Sequence, residues 1–181
     1  MTGFLRFIGI LNAAMWLGGS LYFTFVAGQA PFSQETRAIF GAEQNPHTAY
    51  YVGAIAQVGV ARFFSFQLFC GIVAFVHLSA EWLYQDRRNR KPLALMLGVM
   101  LAVTVLGKYA LQPTMRDLFR AKYALNYTQP QRDVAARSFA IWHGVSMTVN
   151  LFMLGGLVVY LVQMSRPPEV GRFVSASQFR S

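Results

Sequence analysis

Charge is what this chain has least of. Lys, Arg, Asp and Glu together make up 13% of its 181 residues, against 55% hydrophobic. A soluble domain carries roughly a quarter charged residues, so a mean hydropathy of +0.37 describes more apolar surface than one soluble core of this size can bury. Carboxylates do not occur as a pair in any apolar stretch, which removes paired acid–base chemistry there. The one cysteine, Cys70, lies inside such a stretch, so no disulfide framework exists and it reads as a small hydrophobe. Cys-x-x-Cys and Met-x-Met patterns are absent. The eight methionines are scattered, with Met96 and Met100 on one helix face and Met147 and Met153 on different faces, as packing explains. There is no nucleotide-binding glycine loop, and Ser146 has no carboxylate-oriented histidine in its own motif. The expectation is a protein that is not an enzyme and holds no metal.

What the chain does have is four long apolar runs, at about residues 5–27, 60–84, 93–112 and 138–165. About 20 residues suffice for a helix to cross a bilayer, whereas spanning strands would alternate over about ten. The predicted fold is all-α, a polytopic membrane protein whose single domain, 1–181, is a bundle of four transmembrane helices. Residues 28–59 form a long outer loop or helix extension, and 166–181 a tail. Within the former, TAYYVGAIAQVGVA is again uncharged, and no proline separates it from the second span, so one helix over 48–84 is expected. The third connection places Leu118, Phe119, Tyr123 and Ala124 among basic residues at helical spacing, an interfacial amphipathic helix.

Basic residues divide evenly between the two ends of such a bundle, but Arg87, Arg88, Arg90 and Lys91 are compressed into one short loop. That density places both termini in the cytoplasm, in what reads as a bacterial inner membrane. The net charge of +9 then serves anionic headgroups of the lipid bilayer, since no separate basic domain exists for nucleic acid.

The polar residues left inside the runs carry the functional reading. His77 and Glu81 share a face near the cytoplasmic end of the second helix. His143, Ser146 and Asn150 share one near the outer end of the fourth. The two histidines are therefore about 20 Å or more apart and cannot share a metal or a bis-histidine haem. A single-histidine tetrapyrrole at His143 or His77 is a minor alternative. Lys108, Gln112 and Arg116 repeat every four residues at the outer end of the third span, at a depth comparable to Arg137 and His143. Together with Ser146 and Asn150 they form a candidate ligand site, because such a cluster is costly against lipid and suits an anion.

KYALQPTMRDL (108–118), RSFAIWHGVSMTVNL (137–151) and MWLGGSLYFTFVAGQAPF (15–32) resemble the transmembrane-protein-205-like domain. The shared positions are Trp16, Gly18, Gly19, Pro31, Pro113, Arg116, Arg137, His143, Gly144, Ser146, Asn150 and Leu151. The resemblance implies a four-helix membrane domain of largely unknown function. Eukaryotic members are connected with drug and metal-compound resistance, but it implies no transport cycle or catalysis.

Two roles follow. The first is a structural or accessory subunit that packs against other membrane subunits or itself, for which Gly18, Gly19, Gly71, Gly98, Gly155 and Gly156 would allow close helix contacts. The alternative is a binder or transporter of a small solute, metal or lipid.

Overall fold

A computed structural model describes residues 2–41, 44, 45, 47–85 and 91–166. Its α-helices are α1 Thr2–Tyr22, α2 Gln34–Ile39, α3 Thr48–Gln85, α4 Lys91–Leu106, α5 Gln112–Tyr123 and α6 Gln129–Ser165, and no strand occurs among the described residues. Four stretches are long and apolar enough to cross a membrane: Gly3–Ile39, Thr48–Leu83, Lys91–Tyr123 and Gln129–Ser165. The chain is an all-α integral membrane protein. Arg87, Arg88 and Arg90, on which its orientation was read, lie outside the described residues, as does the tail beyond 166.

α3 runs unbroken across the segment that could have been a loop. The amphipathic helix of the third connection is α5, which buries Met115 and Phe119 and prolongs the third span through a π-helical turn, Gly107–Leu111. A second π turn, Phe23–Ala27, prolongs α1. Helix α6 begins nine residues before the expected span, because a capping box between Thr128 and Gln131, with a proline in the first turn, starts it there.

α1, α3, α4 and α6 form a ring, each packed on its neighbours. Lipid tails are as apolar as the side chains, so close van der Waals contact rather than escape from water holds such a ring together. Its centre is Trp16, Cys70, Ala74, Leu97, Met100, Leu157 and Tyr160. Trp16 is wholly buried and meets the Tyr160 ring edge-on at 6.4 Å. Gly71 admits Trp16 and Leu101, and Gly156 admits Met100. Outward-facing residues such as Leu83, Leu95 and Phe152 are strongly exposed, as lipid contact requires.

Charges mark two levels on this ring. Arg6, Glu81 and Lys91 lie at the end where α1 begins and α6 stops; Arg62 and Lys108 lie at the other. Between them α3 has no charge over residues 63–80, about 27 Å of helix, close to the roughly 30 Å hydrocarbon thickness. Beyond Arg62 the helices continue: α3 back to Thr48, the third span to Tyr123, and α6 from Gln129.

Candidate functional site

Near the upper charge level the ring opens. α4 and α6 touch where Gly156 faces Met100, and α5 and α6 pack again beyond. Between these contacts lies a cleft of about 1990 Å³, walled by both π turns, the first half of α3, α5 and the middle of α6. Ligand sites are commonly 300–1,000 Å³. Both π turns border it, which fits their frequent occurrence at functional sites.

At its base stand Thr24, Gln67, Thr104, Asn150 and Met153. Asn150 Nδ2 donates to Thr24 Oγ1 at 2.9 Å, and Thr24 in turn donates to the Ser20 carbonyl at 2.7 Å, joining α6 to α1. Thr104 Oγ1 returns to its own helix, donating to the Met100 carbonyl. Gln67 is 3% exposed, and its Nε2 is buried without a hydrogen-bond partner. Leaving a buried amide donor unpaired costs about 1–3 kcal/mol, so this atom calls for an acceptor. The walls above are mostly apolar, including Val52, Ala56 and Val60 of α3 and Val145 and Val149 of α6, with Gln57, whose Oε1 is also buried without a partner, set among them. At the far end the lining includes Arg37 of α2 and Lys122 of α5. Among the described residues, no Asp or Glu lines it.

Of the residues singled out on sequence, Gln112, His143, Ser146 and Asn150 line this cleft together, whereas Lys108, Arg116 and Arg137 lie outside its lining. A four-residue repeat drifts about 40° per step on an α-helix, and Arg116 has turned to an exposed position. Lys108 Nζ sits 5.5 Å from the centre of the Tyr109 ring. His143 is not enclosed within the bundle. It is exposed, its ring stacked on Phe139 at 6.0 Å, because α6 has passed the level of Asn150 by two turns.

His77 belongs to the opposite end. It is 4% exposed, its Nε2 donates to the Leu5 carbonyl at 2.6 Å, and its ring covers Gly9. The bond at Leu5 and the bond at Thr24 are 19 residues apart along α1, about 28 Å, so the two histidines do not meet. Among the described residues no group of three or more His, Cys, Asp or Glu side chains gathers as metal ligands would.

Sequence reasoning missed Gln67, Arg37 and Lys122. Gln67 had a readable signal, as the one side-chain amide in the charge-free stretch 63–80. Arg37 and Lys122 had none, since each closes a helix whose position only the fold sets.

The model of a family described as Domain of unknown function (DUF4149) matches residues 11–124. That match takes in the cleft walls from the Phe23–Ala27 π turn to α5 and stops before α6. No curated protein and no solved structure matches the chain.

Proposed function

The chain belongs to the DUF4149 family, whose function is unknown, so its role is read from its own cleft, and we propose that it binds a lipid-like molecule there. It acts in this reading as a binder or carrier with no reaction of its own. The carrying observation is Gln67, an amide donor buried without a partner at the base of an apolar cleft far larger than a packing defect. The compact run Arg87, Arg88, Arg90 and Lys91 at the short connection between α3 and α4 supports a cytoplasmic placement of that end in a bacterial inner membrane. The finer likeness to the transmembrane-protein-205-like domain rests on the quoted motifs, and the cleft would be its working part.

The test is retention. Full-length protein purified in mild detergent should hold about one lipid-like molecule per chain by mass spectrometry, and Ala56→Phe, which projects a ring into the cleft, should lower this several-fold. Equal lipid content in both proteins would remove the cleft as a binding site.

An accessory role is the second reading, favoured by Gly18, Gly98 and Gly155. A Cβ at any of the three would meet nothing within 4 Å, which leaves room for a neighbouring helix. A stoichiometric partner, or a second copy, recovered from native membranes and lost on Gly98→Leu would support it.

A further inference from the structure

The two ends of the cleft differ chemically. Its outer end carries Arg37 and Lys122, each in the last turn of a helix, and none of the described residues lining the cleft is a carboxylate. Arg37 is exposed and Lys122 half-buried, so both charges are available to a ligand. Between that end and Gln67 the α3 wall runs from Thr48 to Gln67, about 28 Å, which leaves room for a lipid chain of half the roughly 30 Å hydrocarbon thickness together with its headgroup. Its base reaches below Arg62 and Lys108, the level at which the charge-free part of the ring begins. A positively charged end, a long and mostly apolar trough and a base within reach of the bilayer match one shape of molecule, an elongated anionic amphiphile.

We infer that the cleft holds a single anionic bilayer lipid, with its phosphate at Arg37 and Lys122 and a chain lying along α3 toward Gln67. This rests on the reading of the cleft as a ligand site and adds the class of ligand. Guanidinium and ammonium groups both bind phosphate oxygens by charge-assisted hydrogen bonds, and removing them from water at a protein surface strengthens that preference. A zwitterionic lipid would place its own cation beside Arg37 and Lys122. Selection between the two is therefore electrostatic and should weaken with salt.

The measurement is made on the full chain reconstituted into vesicles of equal parts phosphatidylglycerol and phosphatidylcholine. The protein is re-extracted in mild detergent and its retained lipid is quantified. Wild type should retain phosphatidylglycerol at least five-fold over phosphatidylcholine. Arg37→Gln/Lys122→Gln should bring that ratio to near one with total retained lipid unchanged. Arg62→Gln/Lys108→Gln, two cations outside the lining, should leave the preference intact and so separates the cleft from lipid around the bundle. Helical circular dichroism establishes that each variant is folded. Retention of both lipids without preference in wild type, or loss of preference only in Arg62→Gln/Lys108→Gln, overturns the anionic assignment while the cleft reading stands. No retained lipid in wild type overturns both.

Discussion

At the scale of the residue, the informative side chains are polar groups whose partners had to be found inside an apolar ring. His77 found one in the Leu5 carbonyl, and the helix opposite makes room with Gly9, where a Cβ would stand 2.6 Å from the imidazole Cε1. Gly9→Ala should therefore force the ring off its bond and cost about 1–3 kcal/mol, read as a lowered thermal midpoint in detergent. Gln67 found no partner. Replacing it with leucine relieves an unpaired donor, so Gln67→Leu should stabilise lipid-stripped protein by about 1–3 kcal/mol at most, read as a raised thermal midpoint, and reduce lipid retention. A fall in the midpoint of the stripped variant would mean that the amide is satisfied in solution and carries no ligand contact. Asn150 and Ser146 were legible as a polar stripe on α6 because spacing fixes which residues share a helix face. The exposure of His143 was not, since that depends on how far α6 rises past its neighbours.

At the scale of the element, four helices were legible because long apolar runs admit little else in a bilayer. Their ends were less so. The T-x-P-x start of α6 announces itself through Thr128, whose backbone N–H donates to Gln131 Oε1 at 2.9 Å, yet hydropathy alone begins the helix at 138. Thr128→Ala should cost about 1 kcal/mol and increase hydrogen exchange over the first two turns of α6, with residues 150–165 unchanged. Protection lost along the whole helix would instead make this cap a determinant of the bundle. The π turns had no sequence signal. Each adds a residue to one turn and re-phases the face that follows, and after Gly107–Leu111 that face presents Phe119 to Gly53 of α3. Such a turn persists because partner helices reward the new phase, which a single strand of sequence does not display.

At the scale of the whole molecule, the charge levels decide how the bundle sits. α3 is 38 residues, about 57 Å, nearly twice what the hydrocarbon core needs. Tilt can absorb part of the excess, but Arg62 and Lys108 at one common level oppose sinking the rest, because a buried cation costs several kcal/mol. The upper parts of α3, α5 and α6 then rise above the bilayer and carry the cleft with them, its base left at the lipid surface. Single cysteines introduced into Cys70→Ala protein at exposed positions along α6 measure this directly. A membrane-impermeant maleimide should label Val134→Cys and Ile141→Cys from one side of sealed vesicles and spare Phe152→Cys, placing the boundary between 141 and 152. Protection of Ile141→Cys with labelling retained at Val134→Cys would move that boundary up by two turns. The cleft would then be open to the lipid along most of its length, and lipid would enter it sideways without rising toward Arg37 and Lys122.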